Sequence, residues 1–296
     1  MRRTKSQKKP LGLAMMLVLA ASTTFAADIQ GTISSTVTIT ETSQLVGNVT
    51  CNVTGAACIA FGAPGIALKL NGFTITGQAD AVTGCAGGQV AGESGILING
   101  LRGAIVQGPG IVQRFRAHGI IVTGASSRVL VTKVTTATNC MAGIILTGAS
   151  TDNELDANTA VSNGNSSAPC GGICLAGGSS RNRVTLNRLS GNGYAAQTNN
   201  FGIGLVNPGT NDNVIVDNVV FGNSNGIVLV AGVEGNVVLR NFIVGNPPVQ
   251  VPVSNPGTVG MDIRNLATPG INILDDNVCL TSTNAACAIA DPPPQR

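Results

Sequence analysis

The chain has 296 residues, 43% of them hydrophobic and 10% charged, with no tryptophan, one tyrosine and a formal charge of +3. Arg2, Arg3, Lys5, Lys8 and Lys9 supply five of the positive charges, which leaves the rest of the chain near −2 and removes any general basic signature for nucleic acid. The 39 glycines follow no collagen period and long amphipathic helical patterns are missing, so the expected core is built from Val, Ile and Leu.

Residues 1–27 read as a signal peptide: a basic start, an apolar run over 11–22, then small residues up to Ala26 and Ala27. The run is shorter than the about twenty apolar residues a spanning helix needs. The expectation is therefore a secreted or periplasmic bacterial protein, exported by the general secretory route and without a membrane span after cleavage. Residues 28–64 carry alternating β-rich stretches such as Thr36-Val37-Thr38-Ile39-Thr40 and read as N-terminal coils and a cap.

A tetrapeptide then recurs: Gly, Ile or Met, any residue, an aliphatic residue. It stands at Gly65-Ile66-Ala67-Leu68, Gly95-Ile96-Leu97-Ile98, Gly119-Ile120-Ile121-Val122 and Gly143-Ile144-Ile145-Leu146. It returns at Gly172-Ile173-Cys174-Leu175, Gly202-Ile203-Gly204-Leu205, Gly226-Ile227-Val228-Leu229 and Gly260-Met261-Asp262-Ile263. The period of two marks a strand with one apolar face. Asparagines five apart follow in threes: Asn153-Asn158-Asn163, Asn182-Asn187-Asn192, Asn213-Asn218-Asn223 and Asn236-Asn241-Asn246, with a weaker echo at Asn272-Asn277-Ser282. Asparagine tolerates tight turns and can form hydrogen-bonded ladders between stacked strands.

A unit of 24 residues cannot bury its own apolar face, whereas stacked copies make one continuous core. The predicted architecture is an all-β, single-stranded right-handed parallel β-helix of about ten coils over residues 28–287, with a loose tail at 288–296. Strands about 4.8 Å apart would make it ~50 Å long. Charges test the register. Arg128, Asp152, Arg181 and Asp212 alternate in sign just before the first asparagine of successive coils, as do Asp217, Arg240 and Asp276 before the second. Stacking opposite charges accounts for many charged residues structurally.

All eight cysteines follow the signal peptide, which in an exported chain suggests disulfides. Cys51–Cys58 and Cys279–Cys287 read as local loops near the two ends. Cys85, Cys140, Cys170 and Cys174 admit three pairings; Cys85–Cys140 with Cys170–Cys174 is preferred, with Cys140–Cys170 the rival. No metal and no cofactor are expected, because His118 is the sole histidine and no CxxC pair exists.

The Gly-Ile and spaced-Asn patterns resemble the pectate-lyase-like superfamily, and more narrowly bacterial proteins of parallel β-helix repeats, over about residues 65–285. The resemblance implies the fold. Its members include pectate lyases, polygalacturonases, alginate lyases and epimerases, phage tailspikes and proteins without known activity, so it does not select a function. The clustered carboxylates of the calcium-dependent members are missing here. His118-Gly119 echoes a polygalacturonase motif, but no aspartate constellation precedes it.

The best candidate ligand-binding patch is Gln113-Arg114-Phe115-Arg116-Ala117-His118. Alternation would put Arg114, Arg116 and His118 on one outer face, with Arg102, Arg128 and Lys133 nearby, as a grip for an anionic sugar or another carboxylate. Insertions around 77–94, 163–171, 193–201 and 247–259 all precede the Gly-Ile strand and should line one edge. One of them carries Tyr194, a candidate for stacking on a sugar ring. The functional expectation is a non-catalytic, disulfide-stabilised scaffold for surface, envelope or carbohydrate interaction, with a polysaccharide or cell-envelope component as partner. A lyase or hydrolase of acidic polysaccharide is the alternative.

Overall fold

The computed structural model describes residues 27–82, 84–85, 88–165, 170–193, 200–246 and 260–288. The expected signal peptide, apart from Ala27, and most of the tail lie outside these residues. Each coil contributes short strands to three parallel ladders. The first ladder is the Gly-Ile face: Val37–Ile39, Ile59–Phe61, Ile96–Asn99, Ile120–Thr123, Ile144–Leu146, Ile173–Leu175, Ile203–Leu205, Ile227–Leu229, Ile263–Asn265 and Ser282–Thr283. Ten strands in one ladder give the ten coils of a parallel β-helix. The second face follows the first asparagine corner, for example Glu154–Asp156 on Arg183–Thr185. The third follows the next corner, for example Thr159–Val161 on Arg188–Ser190. Inward residues such as Ile120, Leu155, Val184, Ile203 and Val220 are fully buried and stack into one continuous core.

The corners explain the asparagines. Asn182 accepts at Oδ1 from the backbone N–H of Asn153 at 3.0 Å and from its Nδ2 at 2.9 Å. Its own Nδ2 donates to Asn213 Oδ1 and to Ser150 O. Each interior asparagine repeats this pattern, so its amide is fully used with no water required. Three such ladders run up the tube: Asn153 to Asn272, Asn158 to Asn277, and Asn139 to Asn246. Asp152, Arg181 and Asp212, each just before a ladder asparagine, turn the chain through the left-handed region with φ of 57°, 56° and 57°, and Arg128 does the same before Val129 with φ of 54°. For a non-glycine residue that conformation costs about 1 kcal/mol or more, and the ladder bonds offset it.

The recurrent glycine has its reason in the same corner. A Cβ at Gly143 would meet Gly172 O at 2.8 Å and Asn163 Nδ2 at 2.9 Å; at Gly172 it would meet Gly202 O at 2.7 Å and Asn192 Nδ2 at 3.0 Å. Only a residue without a side chain lets the third asparagine ladder pass beside the next coil.

Two of the expected repeats shift register. Gly65-Ile66-Ala67-Leu68 belongs to the second face, where Ala67–Lys69 pairs with Ile105–Gln107; the first-face strand of that coil is Ile59–Phe61, bonded to Ile96 and Leu97. In the other, Ile263 rather than Met261 pairs with Ile227, so Asp262 and not Gly260 takes the glycine position. Its carboxylate ends the third ladder. Oδ1 accepts from Asn246 Nδ2 at 2.8 Å, and Oδ2 from the N–H groups of Leu280 and Thr281 at 2.9 and 3.2 Å. Asn272 and Asn277 close the other two ladders, while Ser282 stands in a first-face strand and takes no part in the echo expected of it.

The charge register holds where it is tested most directly. Arg181 makes a two-pronged pair with Asp152 at 3.0 and 3.1 Å, and Arg240 does so with Asp217 at 2.9 Å twice. Both pairs are solvent-exposed and act on register more than on stability. Disulfides join Cys51–Cys58, Cys85–Cys140 and Cys279–Cys287. The expected Cys170–Cys174 bond is absent: both are thiols, with their Sγ atoms 2.9 Å apart.

Candidate functional site

The strand that would have carried Arg114, Arg116 and His118 on one face ends at Gln113. Arg114 takes φ of 60° and turns the corner, so the alternation that continues in sequence does not continue in space. Phe115 joins the core, and Ala117 is buried. The insertion around 77–94 then runs along this stretch and uses its polar heads. Ala79 N–H bonds to Arg114 O and Val90 N–H to Arg116 O, both at 3.0 Å, and the Cys85–Cys140 disulfide pins the insertion across the neighbouring coils.

Arg114 and Arg116 are engaged by that insertion, and His118 by the next coil. Arg114 Nε donates to Ala79 O at 2.8 Å. Arg116 clamps Glu93 through Nε and Nη2, both at 2.6 Å, and Glu93 is only 4% exposed. The same carboxylate accepts from Gly55 N–H at 3.0 Å, and the bonds to Glu93 raise the Arg116 guanidinium further above its usual range. His118 is buried; its Nδ1 accepts from Ala142 N–H at 3.1 Å, and burial lowers its pKa to about 4, so it is neutral near pH 7. Arg102, Arg128 and Lys133 stay exposed on neighbouring corners. The three heads therefore do not form one solvent face. Tyr194 lies outside the described residues.

Glu93 is the residue that sequence reasoning missed. An isolated acid in a Gly-rich insertion gave no spacing signal, and only the fold brings it to Arg116. Removing its partner tests this role. Arg116→Ala is expected to lower stability by about 2 kcal/mol, the loss for a buried pair discounted because Arg116 reaches solvent. A lowered urea midpoint checks it; an unchanged midpoint would free Arg116 for another task.

The described ends of three insertions lead into first-face strands, beginning at Ile96, Ile173 and Ile203, while the insertion expected at 247–259 lies outside the described residues. Beside these ends the outward side of the first face is unusually apolar. Leu97, Ile121, Ile145, Cys174, Gly204 and Val228 follow one another coil by coil, and the row continues with the polar Arg264 and Thr283. Phe201, at the end of an insertion, lies over Gly204, where any side chain would overlap its ring. Together with Ile145, Cys170, Cys174 and Val228 it makes a second buried cluster outside the tube. A cavity of 380 Å³ remains at the far end, between Val206, Pro208, Val228, Val230, Arg264 and Leu266. Burial lowers the Arg264 pKa from its usual value. Among the described residues no three His, Cys, Asp or Glu side chains gather as a metal site, and no helix is long and apolar enough to cross a membrane.

Known proteins place this architecture. The Dettilon tailspike protein (gp208) superposes with a TM-score of 0.58 at 17% identity, over 84% of this chain and 54% of its own. The enzymatically active domain of bacteriophage CBA120 tailspike protein 2 does so at 0.54 and 12%, over 84% of this chain and 38% of its own. This chain thus spans about half the length of the first tailspike and less of the second, and the likeness is one of fold. Pectate lyase Pel9A aligns at a TM-score of 0.45 and 15% identity over 88% of this chain and 67% of its own. No curated protein matches the sequence. The family model described as periplasmic copper-binding protein (NosD) matches residues 65–259. That match covers about two-thirds of the sequence, disulfides fit the exported compartment its description names, and the chain belongs to the NosD family of parallel β-helix proteins.

Proposed function

We propose that this chain is a non-catalytic exported scaffold, a disulfide-braced tube that binds a polysaccharide or another cell-envelope component. The observation that carries the reading is the fate of the titratable groups. A lyase needs a base for the proton it removes and a cation for the developing charge; a hydrolase needs two carboxyl groups flanking the bond. Here the sole histidine is buried and neutral near pH 7, with its Nδ1 engaged by Ala142, and Glu93 is locked between Arg116 and Gly55. Asp152 and Asp217 face arginines one coil away, which hold both carboxyls below their usual range. These groups serve the fold.

The family description names copper, and the donors of this chain can be tested against it. His118 Nδ1 is occupied by Ala142 N–H, and the adjacent soft donors among the described residues are the two sulfurs of Cys170 and Cys174. Thiolates are soft donors that select Cu(I), and among the described residues no third His, Cys, Asp or Glu side chain joins the pair.

Purified protein incubated with pectate, alginate and other uronic-acid polymers, with and without calcium, should give neither the ultraviolet absorbance of an unsaturated product nor new reducing ends. The same polymers cast into a native gel should retard the protein. Product formation on any polymer would replace the scaffold reading with the enzyme reading.

A further inference from the structure

Six of the eight cysteines are joined in disulfides, and the remaining two lie side by side. We infer that Cys170 and Cys174 are an exchangeable dithiol, a redox modification site that takes a disulfide-bearing oxidant as its reaction partner. The inference is independent of what the scaffold binds.

Placement supports it. Cys174 points outward from the centre of the strand Ile173–Leu175, between Ile145 and Gly204 of the adjoining coils. Cys170 closes the insertion before that strand and returns to the same point, with Sγ–Sγ at 2.9 Å. The two sulfurs are thus in direct contact, at a separation longer than the ~2.05 Å of a bond. Between them stand Gly171 and Gly172, the two residues that could most easily let a five-residue ring close. The surroundings are apolar: Ala142, Ile145, Phe201 and Val228 belong to the same buried cluster. Such a site shields a reduced pair from bulk reagents yet needs little movement to oxidise it.

The two sulfurs divide the work by access. Cys170 sits at the corner and is 6% exposed, whereas Cys174 is fully buried. The hydrogen bond with Cys170, followed by burial, holds the Cys174 thiol well above the usual thiol range. Cys170 is therefore the entering sulfur. Its thiolate attacks one sulfur of the oxidant, forms a mixed disulfide and releases the first thiolate. Cys174 then loses its proton and attacks the Cys170 sulfur, and the second thiolate leaves. The two thiol protons end on the two released thiolates. The pair gives up two electrons and the oxidant disulfide gains them. In the product the insertion ending at Cys170 is covalently fastened to the outer row of the first face.

The test equilibrates the mature protein in glutathione buffers of graded ratio, quenches with acid, and labels under denaturing conditions with a maleimide read by mass. Two adducts are expected in reducing buffers and none in oxidising ones, in a single transition that leaves the other three disulfides closed. Cys170→Ser should leave Cys174 with one adduct throughout, while Cys174→Ser should trap a glutathione adduct on Cys170. Two adducts at every ratio would overturn the inference. So would none until the other disulfides open, which would make this a fourth structural bond. A soft metal ion retained at one per chain by elemental analysis would also overturn it.

Discussion

Replacing Asn187 by alanine is expected to lower the stability of the tube by about 4 kcal/mol, a large effect for one uncharged side chain. Asn187 Oδ1 receives the backbone N–H and the Nδ2 of Asn158, and its Nδ2 supplies Leu155 O and Asn218 Oδ1. Alanine cuts all four bonds within a corner where asparagines are 1% exposed. Water cannot substitute without opening the coil, so the groups left short bear a desolvation cost of about 1–3 kcal/mol each. Hydrogen exchange should locate the damage, with protection lost first in Glu154–Asp156 and Arg183–Thr185 beside the corner. Asp262 sharpens the case, because it fills the end of a ladder where every neighbour donates. Asp262→Asn, isosteric but carrying an NH2 group among donors, should destabilise the last coils. If both variants match the parent in midpoint and exchange, the ladders are not what holds the corners.

This dependence explains which parts of the fold the sequence makes legible. Stacked architecture repeats its demands coil by coil, so a period survives in the residues. Gly119, Gly143, Gly172 and Gly202 recur because a side chain there would strike the next coil and the ladder. Asn153, Asn182 and Asn213 recur because each serves its neighbours. Where the demand changes, the pattern misleads. Gly65 is a corner glycine with φ of 71° and only imitates the repeat, and Asp262 replaces a glycine because no further ladder asparagine follows it. Asn139, the start of the third ladder, stands alone in its coil and passes unnoticed in the sequence.

The candidate site was less legible for a related reason. Period-two reasoning holds along a strand and fails at a corner, and Arg114 is a corner. The contacts that engage Arg114 and Arg116 come from an insertion with no repeat partner. Cysteine pairing is intermediate. Loop length and coil position select Cys51–Cys58, Cys279–Cys287 and Cys85–Cys140, all formed, and they bring Cys170 to Cys174, where the structure shows contact without a bond.

The second large effect concerns acid. The buried His118 has a pKa of about 4 in the folded protein, against about 6.5 when unfolded. Below the unfolded value the unfolded chain takes up a proton that the folded chain refuses, so stability falls as pH drops from about 6.5 towards 4 and levels off beneath it. The full difference amounts to about 3 kcal/mol. His118→Asn should remove the dependence while keeping the fold, because its side-chain oxygen can replace Nδ1 as the acceptor for Ala142 N–H. Urea midpoints at about pH 7 and about pH 4.5 for parent and variant isolate this contribution. Asp152 and Asp217, held low by their arginine partners, lose their share only as pH falls through their still lower folded values, and they do so equally in both proteins. A parent whose midpoint falls no further than the variant's would mean that His118 is protonated in the folded protein. The imidazolium would then be open to an anionic ligand, which is the condition the polysaccharide-acting alternative requires of it.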